Sequence, residues 1–241
     1  MNLYFLVEGN TESEFYPKFV DHYFQGKLKR VQDFDHAISN NYHLVGSGGH
    51  PYIYTGPKFP DPNAAALKNA ILDVNTNPVY DYLILCLDAD ETTIEDRIVE
   101  FNNYIKKFKN EGVVLNSYCE FKLIIQNRCI ETWFLGNKKM LKSNPNSEPL
   151  ISYVKYFNVK TDDPELMGNY SEDYTHQDFH LQYLRAMLRE KRLQYKKELP
   201  LTVASESYIE QLEKRVAEKG KHLTTLADFF NFCHYVKSKI V

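Results

Sequence analysis

Two apolar runs, each ended by carboxylates and followed by a helix signal, constrain the fold of this chain more than any other feature. The first run is Leu3–Val7, which is uninterrupted in the way expected of a strand buried on both faces of a parallel sheet. Thr11 with Glu14 three residues later is the pattern of a capping box, which predicts a helix start. Glu8 is therefore predicted at the carboxyl end of a strand, where the chain turns into a helix.

The second run, residues 82–87, repeats the pattern of the first. It ends in Asp88 and Asp90, and Thr92 with Glu95 predicts another capping box. Apolar residues then recur at helical spacing after each run, which predicts an amphipathic helix in both places. These residues are Phe15, Tyr16, Phe19, Val20, Tyr23 and Phe24 after the first run, and Ile94, Ile98, Phe101, Ile105 and Phe108 after the second.

The acidic residues after the two runs are candidates for one shared site. In open α/β sheets, ligands bind outside the carboxyl ends of the strands, so Glu8, Asp88 and Asp90 are expected at one edge. Crowded carboxylates repel one another and need a cation to stay ionised together. Oxygen-rich acidic sites suit Mg²⁺ or Mn²⁺, so the sequence predicts a divalent metal there.

The composition describes an ordinary globular protein and excludes some classes of function. The 241 residues are 43% hydrophobic and carry a formal net charge of −3, so a uniformly basic nucleic-acid binder is excluded. The four cysteines show no CxxC spacing, which predicts a reducing compartment without disulfides. No apolar run approaches the roughly 20 residues of a membrane span, and Met1 leads directly into the first run. We therefore expect a cytoplasmic protein without a signal peptide or a membrane partner.

The chain between the two runs predicts a βαβ arrangement. Residues 42–45 are a candidate second strand, and the glycine-rich residues 46–49 after them are interpreted as a loop in preference to a phosphate-binding backbone nest. Asn63 is a candidate cap for a helix that leads back to the strand at residue 82. The apolar face of that helix consists of Leu67, Ala70, Ile71 and Val74. Right-handed crossovers would then give a mostly parallel sheet flanked by helices, an α/β fold.

A further strand is predicted at residues 118–126, and it leads to a glutamate in an apolar setting. Glu131 lies beside the single tryptophan, Trp133, and a charge buried there without a partner would be costly. Two interpretations stay open at this point. Glu131 is either a third metal carboxylate or the partner of Arg128.

Residues 143–149 predict a break between a first domain, residues 1–142, and a mainly helical C-terminal region, residues 150–241. Basic residues concentrate at positions 181–198 of that region, where the alternatives are a solvated helix face and a track for backbone phosphates. The candidate nucleic-acid-binding residues are Arg185, Arg189, Arg192 and Lys196.

Other patterns in this C-terminal region predict structure more than chemistry. Ser207 with Glu210 predicts a helix start, and His176 and His180 are interpreted as unrelated surface residues in preference to a zinc pair. A final helix is predicted to bury its apolar face. That face consists of Leu226, Phe229, Phe230, Cys233 and Val236.

The order and spacing of the acidic motifs resemble the Toprim domain. That domain is the metal-binding unit of type IA and type II topoisomerases, primases and OLD-type nucleases, and its pattern is a glutamate after an early strand and a DxD after a later one. Residues 7–12, Val-Glu-Gly-Asn-Thr-Glu, and residues 88–90, Asp-Ala-Asp, match it here, and the resemblance covers about residues 1–140. Residues 130–133 also look like a segment of stand-alone Toprim-like proteins of the RloB and OLD-like kind, which often belong to phage-defence loci.

The resemblance implies a metal-dependent nuclease that cleaves phosphodiester bonds in DNA or RNA. Glu8 would be the acid/base or metal-linked glutamate, and Asp88 and Asp90 would hold Mg²⁺. The candidate ligands for a second metal are Glu12, Glu91 and Glu131. The chain contains no Walker A motif, so the resemblance implies an ATPase partner encoded separately.

Two other classes of function compete with this interpretation. Residues 88–92 also fit the DxDxT motif of haloacid-dehalogenase phosphatases, with Asp88 as nucleophile and Asp90 as acid/base, although that motif normally follows the first strand. A Toprim-like subunit that binds nucleic acid without turnover is the non-enzymatic alternative, and a DxD glycosyltransferase is weaker than either. The sequence does not decide whether the substrate is DNA or RNA. It also leaves the oligomeric state open, and a homo-oligomer is one of the alternatives.

Overall fold

The computed structural model describes residues 1–56, 65–218 and 221–240, and its central element is a five-stranded sheet. The strands are β1 (Leu3–Val7), β2 (Lys29–Arg30), β3 (Asn41–Gly46), β4 (Tyr82–Asp88) and β5 (Glu120–Gln126). They are all parallel and lie in the order β2-β3-β1-β4-β5. The predicted α/β class with a mostly parallel sheet is confirmed.

Helices flank the sheet and make up most of the C-terminal part, as predicted. They are α1 (Asn10–Tyr23), α2 (Tyr52–Thr55), α3 (Ala66–Thr76), α4 (Ile94–Asn110), α5 (Ile130–Phe134), α6 (Leu150–Tyr156), α7 (His176–Glu190), α8 (Glu206–Ala217) and α9 (Thr224–Lys239). Short 3-10 helices occupy Phe34–His36 and Pro164–Leu166. Among the helices of the described residues, none combines the length and apolar content needed to cross a bilayer.

The chain forms two compact units that interleave along the sequence. Unit 1 comprises Met1–Leu87, Ile94–Ile125 and His234–Val241, and unit 2 comprises Asp88–Thr93 and Gln126–Cys233. A single break was predicted from the sequence, and the domain ranges 1–142 and 150–241 stay a prediction.

β1 is the central strand of the sheet, and all five of its residues are buried. It pairs in parallel with β3 on one side and β4 on the other, so Val7 lies opposite Gly46 and Cys86. Continuous apolar runs at β1 and β4 therefore identified strands covered on both faces. The strand predicted at residues 118–126 is β5, and its last three residues are all buried.

The predicted apolar faces of the helices are mostly confirmed. The six predicted residues at positions 15–24 are buried, as are the four predicted on α3 and the five predicted on α9. On α4 the prediction was wrong for Ile98, which is 40% exposed, while Arg97 is buried. Arg97 and Phe101 share a helical spacing as good as that of Ile98 and Phe101, and Arg97 has a carboxylate partner that compensates its burial.

The capping boxes predicted the helices but misplaced their starts. α1 begins two residues earlier than expected, with Gly9 as its N-cap in place of Thr11, which lies inside the first turn. α4 begins two residues after Thr92, and α8 begins directly after Ser205, so Ser207 lies inside it. Near each true start, another Ser or Thr also has a glutamate three residues later by chance. The predicted helix start is therefore displaced by one or two residues.

Two other structural expectations have clear outcomes. All four cysteines are buried thiols and not disulfides. The helix predicted to begin near Asn63 is α3, but Asn63 itself lies outside the described residues, so its capping role stays a prediction.

Candidate functional site

The ends of β1 and β4 define the sheet edge at which the acidic residues were predicted. Val7 is the last residue of β1, and it lies opposite Cys86, two residues before β4 ends at Asp88. Glu8 follows β1 directly. Glu8 and Asp88 belong to different compact units, and their convergence on one site stays a prediction.

In unit 1, the loop that follows β3 holds Glu8 at several points. The backbone N–H of His50 donates to Glu8 Oε1 at 3.1 Å. The hydroxyl of Ser47 donates to the Glu8 carbonyl oxygen at 3.3 Å, and its backbone N–H donates to the Val7 carbonyl at 2.8 Å. Because the carboxylate and the main chain are both bound, the loop fixes the position of residue 8 in unit 1.

Glu12, a candidate ligand for a second metal, lies buried beside the same turn of unit 1. Only 4% of the residue is exposed. A Cβ atom at Gly9 would lie 2.8 Å from Glu12 Oε2, closer than real Cβ contacts, so a side chain at this position would displace the end of the Glu12 side chain. The sequence identified Glu12 by its motif alone, and the structure adds that its carboxylate is packed against the backbone of the helix start.

The side chain of His50 is bound by a charged pair that the sequence analysis missed. His50 Nε2 lies 2.9 Å from Glu100 Oε1, and Arg97 Nη1 donates to Glu100 Oε2 at 2.9 Å. Burial by itself would raise the pKa of Glu100, but hydrogen bonds from His50 and Arg97 outweigh it and hold that pKa below its usual value. Glu100 is therefore an ionised acceptor, and the only sequence signal for it was an arginine and a glutamate three residues apart on one helix.

In unit 2, the end of β4 and the residues that follow it hold the two carboxylates predicted to bind Mg²⁺, Asp88 and Asp90. Asp88 is 7% exposed, and Asp90 has a φ of 52°, in the left-handed region that few non-glycine residues adopt. Arg128 stabilises this conformation from both directions. Its carbonyl accepts from the Asp90 N–H at 2.8 Å, and its guanidinium donates to the carbonyls of Asp90 and Thr92 at 3.1 and 3.0 Å.

Glu131 is almost fully buried, and its partners in unit 2 differ from those expected. The hydroxyl of Tyr195 donates to Glu131 Oε1 at 2.8 Å, and Lys197 Nζ lies 3.6 Å from the same oxygen. The alternative in which Glu131 pairs with Arg128 was wrong, because Arg128 is bound to backbone carbonyls instead. A hydroxyl and an ammonium group together compensate the burial of this charge.

Asp88 and Glu131 both influence the pKa of the Cys129 thiol within unit 2. Burial, followed by the negative charges of Glu131 and Asp88, raises the pKa of the Cys129 thiol. This thiol is therefore neutral at physiological pH and has no nucleophilic character. The electrostatic effect also indicates that both carboxylates lie in the surroundings of Cys129.

Glu91, which follows Asp90 directly, binds the N-terminus of α7. The backbone N–H of His176 donates to Glu91 Oε1 at 2.7 Å, and His176 Nδ1 lies 2.5 Å from Oε2. Burial by itself would raise the pKa of Glu91, but the hydrogen bonds from His176 outweigh it and lower that pKa. In this arrangement Glu91 stabilises the helix start, and its role as a metal ligand stays a prediction.

The interpretation of His176 and His180 as two surface residues was wrong for His180. His180 is fully buried. Its Nδ1 lies 2.7 Å from Thr132 Oγ1, and its Nε2 lies 3.2 Å from the Met167 carbonyl oxygen. With both ring nitrogens bound in this way, His180 is a core residue of unit 2 and not a metal ligand.

Carboxylate oxygens are ligands that suit Mg²⁺, but the described residues do not form a complete coordination site for it. Over residues 1–56, 65–218 and 221–240, no group of three or more His, Cys, Asp and Glu side chains is arranged to hold a metal ion. Mg²⁺ typically binds through one or two carboxylates together with water and substrate phosphates. Asp88 and Asp90, two hard oxygen ligands in one short segment of unit 2, fit that smaller requirement.

The basic stretch of unit 2 is divided between a helix and the segment after it. Arg185 and Arg189 are exposed and lie four residues apart on α7, which ends at Glu190. Arg192 and Lys196 are exposed in the following segment, where Arg192 has a φ of 59°. The alternative of a solvated helix face therefore fits only Arg185 and Arg189, because α7 ends before Arg192 and Lys196.

Comparison with protein-family models, with curated proteins and with solved structures found no match to this chain.

Proposed function

We propose that this chain is a metal-dependent nuclease that cleaves phosphodiester bonds in DNA or RNA with Mg²⁺ or Mn²⁺. The observation that carries the proposal is the register of the two central strands. β1 and β4 are parallel neighbours, and the first residue after β1 and the last residue of β4 are carboxylates, Glu8 and Asp88. The carboxyl ends of parallel strands are where open α/β sheets bind ligands.

The proposed chemistry assigns a different role to each carboxylate. Asp88 and Asp90 would hold the metal ion, which supplies charge stabilisation at the phosphate oxygens when bound. Glu8 would accept a proton from the attacking water. The oxygen of that water would form a bond to phosphorus, and the ester bond to the leaving nucleoside oxygen would break.

The conformation of the Asp90 segment supports a role in binding. A non-glycine residue at a φ of 52° is strained by about 1 kcal/mol, and such residues cluster at functional sites. Arg128 holds the segment through three hydrogen bonds, so the strained backbone is fixed rather than transient. A metal ligand that is fixed before the metal binds needs less reorganisation.

The resemblance to stand-alone OLD-like and RloB-like Toprim proteins extends the proposal to the cellular setting. Phage defence would be that setting, and an ATPase encoded separately would be the partner. Neither extension changes the chemistry proposed for Glu8, Asp88 and Asp90.

The proposal is tested by incubating the full chain with Mg²⁺ or Mn²⁺ and a panel of substrates. The panel comprises supercoiled plasmid, linear duplex DNA, single-stranded DNA, structured RNA and p-nitrophenyl phosphate. We expect cleavage of at least one nucleic acid, its complete loss with EDTA, and no turnover of the small phosphate ester. Turnover of the ester without nucleic-acid cleavage would contradict the proposal and favour the phosphatase.

The exposed basic residues of unit 2 are predicted to contact the phosphate backbone of the bound nucleic acid. Changing Arg189, Arg192 and Lys196 together to glutamate should weaken binding at least about tenfold at low salt and flatten the salt dependence, because each lost phosphate contact removes roughly 0.7–0.9 from the slope. Fluorescence anisotropy with labelled DNA and RNA across a salt series measures both quantities.

The matched control for this prediction reverses three exposed lysines of α4, Lys106, Lys107 and Lys109, and so makes the same change in net charge. It should leave affinity and salt slope much closer to those of the wild-type protein. Equal effects of the two triple variants would show that net charge alone weakens binding. The prediction that the basic stretch contacts the phosphate backbone would then be wrong.

A further inference from the structure

The loop after β3 connects Glu8 to the ion pair of Arg97 and Glu100 in unit 1. His50 contributes its backbone N–H to Glu8 Oε1 at 3.1 Å and its ring Nε2 to Glu100 Oε1 at 2.9 Å. One residue therefore bonds both carboxylates, through two different groups. The ring and the backbone N–H of His50 therefore lie between the two carboxylates.

The path of this loop depends on two glycines. Gly48 has a φ of 81° and Gly49 a φ of 98°, which are backbone conformations that other residues adopt only with strain. They reverse the chain after β3 so that His50 returns toward the end of β1. The imidazole of His50, which contacts Glu100 Oε1 at 2.9 Å, is an anchor for the far end of this loop.

The anchor is rigid because its acceptor is itself fixed. Arg97 Nη1 donates to Glu100 Oε2 at 2.9 Å, and the side chain of Arg97 is only 7% exposed. Arg97 and Glu100 lie one turn apart on α4, so the helix presets their geometry. The ring of Tyr54 packs edge-on against His50 with 6.2 Å between ring centroids, and it stacks on Tyr104 at 4.4 Å.

We infer that Glu100 is a positioning residue for Glu8, acting through the ring of His50 and the backbone N–H of the same residue. The inference rests on the proposed function, in which Glu8 takes part in phosphodiester cleavage. Misplacement of a reacting group by about 1 Å can cost about 100-fold in rate, so a hydrogen bond that fixes a carboxylate is a sufficient means of control. Glu100 touches neither metal nor substrate in this scheme.

The test compares three variants on the substrate that the wild-type protein cleaves. Glu100→Ala should lower kcat by about 10-fold to 100-fold and change KM for nucleic acid by less than about twofold, because positioning acts on the reaction step and not on substrate binding. Glu100→Gln should recover part of the lost rate, since its side-chain carbonyl can still accept from His50 Nε2–H, although its amide NH₂ would then face the Arg97 guanidinium. Glu111→Ala is the matched control, because it removes another ion pair, with Lys68 at 2.8 Å, just beyond the end of α4.

Glu8→Gln separates failure of this inference from failure of the proposed function. If Glu8→Gln is inactive while Glu100→Ala keeps the wild-type kcat, Glu8 acts without Glu100 and only the inference is overturned. If the wild-type protein cleaves no nucleic acid either alone or with the candidate ATPase, or if Glu8→Gln cleaves normally, the proposed function fails and the inference fails with it. A loss of rate in Glu100→Ala that Glu100→Gln does not recover, together with an equal loss of thermal stability, would also overturn it in favour of a structural role.

Discussion

Replacing Asp88 by asparagine should abolish Mg²⁺-dependent cleavage, with a fall in kcat on the order of 10²–10³-fold or more, as for other groups that stabilise transition-state charge. The change keeps the shape of the side chain and removes the charge with which it would bind a metal ion. The fold should survive, because the asparagine side chain would fill the same 7%-exposed position at the end of β4. The measurement is plasmid or RNA cleavage with Mg²⁺, alongside thermal unfolding.

Glu8→Gln distinguishes the nuclease from the phosphatase that uses the same Asp88. In the nuclease, glutamine cannot accept the proton from water, so cleavage should be lost as fully as in Asp88→Asn. A haloacid-dehalogenase phosphatase would form an acyl-phosphate on Asp88 and would not need Glu8. Turnover of a small phosphate ester by Glu8→Gln, with radiolabel trapped on Asp88, would replace the nuclease with the phosphatase.

Glu95→Gln provides the matched control for both substitutions. Glu95 is exposed in the first turn of α4, so the same chemical change there should leave cleavage and stability near their wild-type values. Bound nucleic acid without turnover in every variant, wild type included, would favour the non-catalytic subunit or an enzyme that needs its ATPase partner. Addition of the candidate ATPase then separates those two outcomes.

The strands could be predicted because burial on both faces leaves a continuous apolar run. The runs at β1 and β4 show this clearly, and the carboxylates that end them follow directly from the sequence. Helix starts were less predictable, because Thr11 and Ser207 carry capping spacings that the structure does not use. Local patterns identify an element well but fix its ends within only one or two residues.

The partners of the acidic residues could not be predicted, because they come from distant parts of the chain. His50 and Glu100 are 50 residues apart in sequence and meet only when α4 packs in unit 1. Tyr195 and Lys197 reach Glu131 from more than 60 residues away. The sequence indicated that a buried charge at Glu131 required a reason, but only tertiary structure supplies the identity of the compensating groups.

The buried His180 of unit 2 should make the stability of the protein fall steeply between neutral and mildly acidic pH. Burial lowers the pKa of His180 from its ordinary value of 6.5 to about 3 in the folded protein. Between these values the unfolded chain binds a proton at this residue and the folded protein does not. The free energy of unfolding should therefore decrease as pH falls, by about 2 kcal/mol between pH 7 and pH 5 from this residue alone.

Urea denaturation at pH 7, 6 and 5 measures this effect, and His180→Gln isolates it. The variant lacks the imidazole that contacts Thr132 Oγ1 and the Met167 carbonyl oxygen, so the protein should be less stable at pH 7. Its dependence on pH over this window should nevertheless be flatter than that of the wild-type protein, because no imidazole remains to titrate. His36→Gln, at an exposed histidine, should keep the wild-type dependence. If His180→Gln does not fold, the ring resonances of His180 in the wild-type protein decide the matter, since protonation near pH 6.5 would show that burial does not hold this imidazole neutral.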